Sequence, residues 1–332
     1  QNDGWQTDNI QEISNLNQEL IFGGIDNIRS EKYKNIHSVL LILDNKLVLE
    51  EYFSGYDSNG DFIEFDRFTP HEQQSASKSF RSMLIGIAIK EGVIENTANN
   101  LFSYFPDLSH QAINGKENIT LDNILTMSSG LDWNEWITPP NDLSRMYSLP
   151  FINWHTYVLE RPLAYEPGTK FVYNTGASIM LNRIIENASN TTIAAFTKKY
   201  FMDRTDSELL PNNANLQAKK LPRDMAKLGA IYLNKGLWKG SQIVSEEWVE
   251  RSLESKFNVP EVGANYGYQW WSRNLLASNG ISYKCNYASG NGEQFIMIIK
   301  ELNLVAIFTG GNFSGGGYAY QIMQKHILPS FE

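Results

Sequence analysis

His71-Glu72-Gln73-Gln74-Ser75-Ala76-Ser77-Lys78-Ser79-Phe80, continued by Arg81-Ser82-Met83-Leu84-Ile85-Gly86-Ile87-Ala88-Ile89-Lys90, is the stretch on which the reading of this chain turns. Apolar residues at Phe80, Met83, Leu84, Ile87 and Ala88 recur at spacings of three and four, which predicts a helix from about Ser75 closed by Gly92. The run of apolar residues behind Lys78 predicts that this helix is buried. Ser75-x-x-Lys78 at its start sets a hydroxyl and an amine one turn apart on one face. A helix N-terminus offers free N–H groups and positive potential, which favour a developing oxyanion. A lysine in a dry, apolar pocket falls from its reference pKa of ~10.4 and can then take the serine proton. Ser75 and Lys78 are therefore the candidate nucleophile and base. The plain alternative is a helix-start serine beside a solvated lysine, and the short motif alone does not separate the two.

Outward from this helix, residues 37–43 and 47–53 read as strands joined by Asp44-Asn45-Lys46. Asp-Asn tolerates positive φ, so the pair is expected to be a hairpin. A short strand is expected over residues 61–68, ending before Pro70, and residues 1 to about 30 show a weak helical pattern through Ile10, Ile13, Leu16, Leu20 and Ile21. Beyond Gly92 come short helical patterns (121–128, 177–189, 193–201) and loops around 133–141. Helices are expected again over 221–235 and 245–255 and a strand over 266–273. A meander follows over 282–289, 293–300 and 304–309, then a Gly-rich loop at 310–317 and a last helix ending near Leu328-Pro329. Strands at both ends of a helical middle predict an α+β protein. The expected division is a sheet lobe from 1–95 and 215–332 and a mainly helical lobe from 96–214, with the active site in the cleft between them.

Composition narrows the function. The 332 residues carry 28 basic and 37 acidic side chains, a net charge of −9, and the sequence pI is about 5.2. Nucleic acid and anionic membranes call for clustered Lys and Arg, so neither is an expected partner. A hydrophobic share of 42% is enough for a core and excludes general disorder. Cys285 is the only cysteine, which excludes an internal disulfide and a multi-Cys zinc site. No apolar run approaches the ~18–20 residues of a membrane span. The sequence opens at Gln1 without Met, so a removed leader and a periplasmic or secreted location are the expectation, with the cytoplasm left open.

Several other motifs fail on inspection. His71-Glu72 begins a His-Glu-x-x-His pattern, but Ser75 stands fifth. His37, His110, His155 and His326 show no ligand spacing, and neither Gly-x-Ser-x-Gly nor a nucleotide P-loop occurs. No metal and no cofactor are implied.

Four ordered segments then carry a resemblance. They are the Ser75 stretch itself; Ile119-Thr120-Leu121-Asp122-Asn123-Ile124-Leu125-Thr126-Met127-Ser128-Ser129-Gly130-Leu131-Asp132-Trp133; Pro167-Gly168-Thr169-Lys170-Phe171-Val172-Tyr173-Asn174-Thr175-Gly176; and Asp224-Met225-Ala226-Lys227-Leu228-Gly229 with Tyr232-Leu233-Asn234-Lys235-Gly236. From about residue 37 to 328 the chain resembles the serine β-lactamase-related hydrolases. That group takes in class C β-lactamases, penicillin-binding-protein-like D-Ala-D-Ala carboxypeptidases, esterases and aminohexanoate-oligomer hydrolases; the esterase and aminohexanoate branches are the most similar. The resemblance implies the β-lactamase/transpeptidase-like fold, an antiparallel sheet flanked by helices with an inserted, mainly helical lobe.

It also implies roles. Tyr173 matches the tyrosine that shares proton transfer with the lysine, although Asn174 stands one place early and Thr175 occupies the usual Asn position. Tyr33-x-Asn35 lies on the wrong side of Ser75, and Tyr232-x-Asn234 reads as a core or helix-end residue. In place of a Lys-Thr-Gly or His-x-Gly strand stands Ala288-Ser289-Gly290-Asn291-Gly292-Glu293-Gln294, similar to the Gly-x-Gly-Gly-Gln form of the esterase and amidase branches. There the backbone N–H groups of Ser75 and Asn291 would form the oxyanion hole, and Ser289 and Gly290 would line the substrate; a bulged turn is the structural alternative. Trp133 and Trp136 border the site by the same resemblance, with lobe packing as the alternative. The implied activity is a serine hydrolase acting on a small-molecule ester or amide through a Ser75 acyl-enzyme. The rival readings are a non-turnover binding or sensor protein, and a β-lactamase or D-Ala-D-Ala carboxypeptidase. Oligomeric state is left unassigned.

Overall fold

The computed structural model describes residues 3–207 and 219–331. Contacts divide the chain into two units. The first comprises Gln1–Ser77, Phe201–Ile243 and Trp271–Glu332, and the second Lys78–Tyr200 and Val244–Trp270. The division drawn from sequence placed 78–95 and 244–270 with the sheet, and its seam at 214/215 lies outside the described residues.

The first unit is built on a sheet of β1 (Gln6–Thr7), β2 (Ile36–Leu43), β3 (Lys46–Tyr52), β4 (Trp271–Leu276), β5 (Ser282–Gly290), β6 (Gln294–Ile299) and β7 (Leu304–Gly310). Their spatial order is β1-β3-β2-β7-β6-β5-β4. All neighbours are antiparallel except β1, which runs parallel to β3. The β2–β3 hairpin forms as the sequence predicts: Asp44 and Asn45 take φ of 47° and 67°, the paired positive values of a primed turn. β2 is buried along its whole length because both sheet faces are covered. Val39 and Leu41 share one face with Met297 and Phe308, packed in a single core with Ile21, Ile25 and Ile28 of the Gln18–Arg29 helix and Ile322, Met323 and Ile327 near the C-terminus. On the other face lies the helix Pro222–Leu233, where a Cβ on Gly229 would stand 2.4 Å from Val305 Cγ1, so glycine permits the close approach. Tyr232 of that helix is fully buried. Cys285 lies mid-strand in β5 with no exposure, and burial pushes its thiol up to about 12.

The second unit is mainly helical. The Ser77–Lys90 helix enters it at Lys78 and is buried on every side through Ala88. Gly86 lies against the Trp248 ring, where a Cβ would be 2.4 Å from Cδ1. Around it are Leu121–Leu125, Asp142–Tyr147, Trp154–Glu160, Thr175–Ser189, Ile193–Thr197 and Glu246–Leu253, with a small hairpin of Phe257–Val259 and Ala264–Tyr266. The fold is thus α+β, with a large, almost wholly antiparallel sheet. Among the described residues no helix is long and apolar enough to cross a membrane.

Several sequence expectations are corrected. The weak pattern over 10–21 yields only a short 3-10 turn at Ile10–Glu12; the helix starts at Gln18, capped by Asn17, and runs to Arg29. The strand expected over 61–68 shrinks to Phe62–Glu64, paired with Ser54–Tyr56. The helix expected over 193–201 is α-helical only to Thr197 and widens into a π-turn over Lys198–Met202. The strand expected over 266–273 is broken in two. Gln269 turns to a φ of 61°, and Gly267 sits where a Cβ would be 2.4 Å from the Ser252 carbonyl oxygen, so the backbone cannot stay extended there.

Candidate active site

Ser75 lies in a 3-10 turn, Gln74–Ala76, that passes without a break into the Ser77–Lys90 helix. The turn is held tightly. Gln74 takes a φ of 46°, a conformation that costs a non-glycine residue energy and must be over-determined by its surroundings. The Ala76 N–H donates to the Gln73 carbonyl at 3.0 Å, Ser77 Oγ donates to the Gln74 carbonyl at 2.7 Å, and Gln74 Nε2 donates to Glu72 Oε2 at 2.8 Å. The end of β5 presses on the turn: a Cβ on Gly290 would lie 2.3 Å from the Gln73 carbonyl oxygen. That position accepts glycine alone, which is what the glycine-bearing motif there supplies.

Ser289 faces Phe295 across the β5–β6 ladder, and Gly290 pairs with Gln294 just before the connecting loop. Gln294 Nε2 pins that loop by donating to the carbonyls of Asn291 at 3.2 Å, Gly292 at 3.1 Å and Gly310 at 2.6 Å. Asn291 is exposed at the loop's tip. Glu293 proves to be a cap: its carboxylate accepts the N–H groups of Gly317, Tyr318 and Ala319 at the start of the Tyr318–Ile322 helix, the last two at 2.9 Å. So the segment is both a tight strand–turn approach and the anchor of the C-terminal helix.

In the helical unit, Lys78 is 3% exposed and its Nζ lies 4.8 Å from the centroid of the Tyr173 ring. Burial holds the ammonium down at about 7; Arg81 pushes it further down, and the Glu135 carboxylate works against both. Arg81, also buried, is lowered to about 10 by burial and stays charged at neutral pH. Tyr173 is buried, with Trp136 at 5.5 Å and Tyr266 at 6.4 Å between ring centroids. The segment bearing it is fixed from behind by Val172 N–H to the Met127 carbonyl at 2.7 Å and Gly168 N–H to the Ser128 carbonyl at 2.8 Å. These bonds tie the 119–133 and 167–176 segments to each other.

The tryptophans divide. Trp133 is 5% exposed, donates Nε1–H to Glu135 Oε2 at 2.9 Å and packs where a Gly176 Cβ would be 2.8 Å from its Cη2, which is the packing role. Trp136 is 76% exposed.

Three features were not seen in the sequence. Glu135 accepts from Thr175 N–H at 2.8 Å, Thr175 Oγ–H at 2.7 Å and Trp133, so Thr175, in the usual Asn place, serves to hold a carboxylate near Lys78. Asn174 caps the Thr175–Ser189 helix by accepting the Ala177 N–H at 2.8 Å. Gln269 joins three helices: it takes Ser79 Oγ–H on its carbonyl at 2.6 Å and Ser178 Oγ–H on Oε1 at 2.7 Å, and gives Nε2–H to Leu125 at 2.8 Å. Only Asn174 carried a signal, as an Asn ahead of an apolar helical pattern. Among the described residues no three His, Cys, Asp or Glu side chains gather as a metal site.

A family model described as Beta-lactamase matches residues 37–310. A curated relative, the 6-aminohexanoate-dimer hydrolase of Paenarthrobacter ureafaciens, is 24% identical over 259 residues; the match spans 70% of this chain and 63% of the length of that protein. Two solved structures share the fold. A penicillin-binding protein homolog from Caulobacter crescentus has a TM-score of 0.73 at 11% identity, covering 94% of this chain and 97% of its own. A family VIII carboxylesterase has a TM-score of 0.70 at 14% identity, covering 93% and 96%.

Proposed function

The chain belongs to the beta-lactamase family, and from that premise we propose that it is a serine hydrolase cleaving a small ester or amide through an acyl-enzyme on Ser75. The observation that carries the reading is Lys78: a buried amine held at about 7, one helical turn beyond Ser75 in unbroken helical backbone.

Near neutral pH a useful share of that amine is uncharged and can accept a proton. Ser75 Oγ attacks the substrate carbonyl as its proton passes to Lys78 Nζ. The negative charge on the former carbonyl oxygen accepts hydrogen bonds from the backbone N–H groups of Ser75 and Asn291. The proton then travels by way of Tyr173 to the leaving alcohol or amine, whose bond to the acyl carbon breaks. Water, losing a proton to the same base, attacks the acyl-enzyme, and the released carboxylic acid leaves Ser75 with its hydroxyl restored.

The substrate class is argued from what the motifs lack. No Lys or His follows the Ala288-Ser289 strand end to bind a substrate carboxylate, and the Asn expected to meet a substrate amide is a Thr engaged with Glu135. Both favour simple esters and small amides over β-lactams. Among the similar proteins, the aminohexanoate-dimer hydrolase and the carboxylesterase support that order, while the penicillin-binding protein homolog shares the fold alone.

The test is intact-mass labelling with a fluorophosphonate. The native chain should gain one phosphonyl group and Ser75→Ala none; equal labelling of both would end the proposal. In steady state, p-nitrophenyl esters should turn over faster than nitrocefin. A stoichiometric burst with no turnover would assign the protein to acyl binding instead.

A further inference from the structure

In the sheet-bearing unit a cavity of about 280 Å³ opens beside the His71–Glu72 strand that leads to the Ser75 turn. Ile63, Phe65, Pro70 and Phe313 give it an apolar wall, and Asp57, His71, Glu72 and Lys219 supply its titratable groups. The volume suits one ring with a short substituent, since an apolar cavity of ~150 Å³ already takes benzene.

Both wall carboxylates are already engaged. Asp57 accepts the N–H groups of Asn59 at 2.8 Å and Asp61 at 3.0 Å, and Glu72 accepts Ser58 Oγ–H at 3.1 Å and Gln74 Nε2–H at 2.8 Å. Lys219 is set at the rim by backbone pairing with Glu72.

His71 belongs to a buried chain of four ring nitrogens. Asn35 is fixed by the Tyr56 backbone, with Oδ1 accepting its N–H at 2.7 Å and Nδ2 donating to its carbonyl at 3.0 Å. Its Oδ1 is therefore an acceptor toward His37 Nε2 at 3.1 Å. At the other end the Glu72 carbonyl is an acceptor toward His71 Nδ1 at 3.2 Å. Between the rings, His37 Nδ1 and His71 Nε2 are 2.8 Å apart and take one hydrogen. Three hydrogens complete this chain, whereas two neutral imidazoles carry two. Burial opposes the third: it holds His37 down at about 3, with His71 adding to the effect, and it lowers His71 also. Phe65 stacks on His37 at 3.9 Å and keeps water off it. Among the charged neighbours Asp57 and Glu72 favour the third proton and Lys219 opposes it.

An anion seated at Lys219 would cancel the lysine's opposition and act through space against part of the burial cost at His71. We propose that the cavity binds a small monocarboxylate with an aromatic or branched alkyl body, its carboxylate at Lys219, and that binding draws one proton from solvent onto the His37–His71 pair.

The probe is phenylacetate, titrated calorimetrically at pH 7 in Bis-Tris and in Tris, against both the native chain and Ser75→Ala, so the result does not depend on the acyl-enzyme reading. We expect one site with a Kd on the order of 1 mM, as suits a fragment of that size. The heat should differ between the buffers by the amount that uptake of up to about one proton per ligand requires. Lys219→Met, an exposed position where misfolding is not at issue, should weaken binding about two- to fivefold, and neutral phenylacetamide should bind the native chain about two- to fivefold more weakly. Absence of saturation, an unchanged Kd in Lys219→Met, equal affinity for phenylacetamide, or buffer-independent heat would each overturn the proposal.

Discussion

Lys78 sets stability against reactivity in a single side chain. Its folded pKa of about 7 lies below the ordinary lysine value of 10.5 because burial disfavours the charge. Between those values the unfolded chain binds more protons than the folded one, so the stability linked to this residue rises with pH across that window. Lys78→Met should therefore raise Tm at pH 7, by a margin that shrinks as pH approaches 10, while abolishing fluorophosphonate labelling; differential scanning calorimetry over a pH series checks the sign. In the native protein kcat/KM for an ester should climb with pH through about 7 as the amine loses its proton. Glu135 offers the companion experiment. Glu135→Gln keeps an acceptor for Thr175 but removes the charge that holds Lys78 up, so the rising limb should move to lower pH. A limb that stays put would limit Glu135 to a structural role.

At the scale of elements, the approach of β5 to the Ser75 turn is the most sensitive contact. Gly290→Ala would drive a Cβ into the Gln73 carbonyl, at an expected cost of about 1–3 kcal/mol, and should displace the turn enough to cut the rate of labelling severely. Chemical denaturation beside labelling kinetics measures the two effects separately. This contact also shows what could be read from the sequence. The Ser75 helix, the β2–β3 hairpin and the 282–310 meander were legible because periodicity and turn chemistry are local. Gly290 and Asn291 were legible only through resemblance. Glu135, Gln269 and the cap made by Glu293 were not legible, since each acts on residues far along the chain: Glu135 on Thr175, Gln269 on Ser79 and Ser178, Glu293 on Tyr318. The 266–273 segment misled for a related reason. Its aromatic, strand-like composition is overridden by the turn at Gln269, whose amide and carbonyl serve those helices.

For the molecule as a whole, acid stability should draw on a cation of the sheet-bearing unit that holds two carboxylates at once. Arg223 bridges Asp3 at 2.7 Å and meets Glu50 with two guanidinium nitrogens, in a largely buried cluster. Burial alone would raise both carboxyls, but Arg223 overrides it and leaves them below their ordinary values. Folded pKa values that are depressed contribute stability above the unfolded values, near 4, and lose it as pH falls through the folded ones. Arg223→Met, which strands two partly buried carboxylates, should cost about 1–3 kcal/mol at pH 7 and less below pH 4, as read from urea midpoints.

Cys285 has a use of its own. It is the sole thiol of the chain, it sits between two hydrogen-bonded neighbours in the middle of β5, and it holds its proton to about 12. A maleimide added to the folded protein must wait until those strands part. The rate at which the molecule gains that adduct is then a stopwatch for its rarest excursions, running unmodified inside the native chain and legible in one mass spectrum.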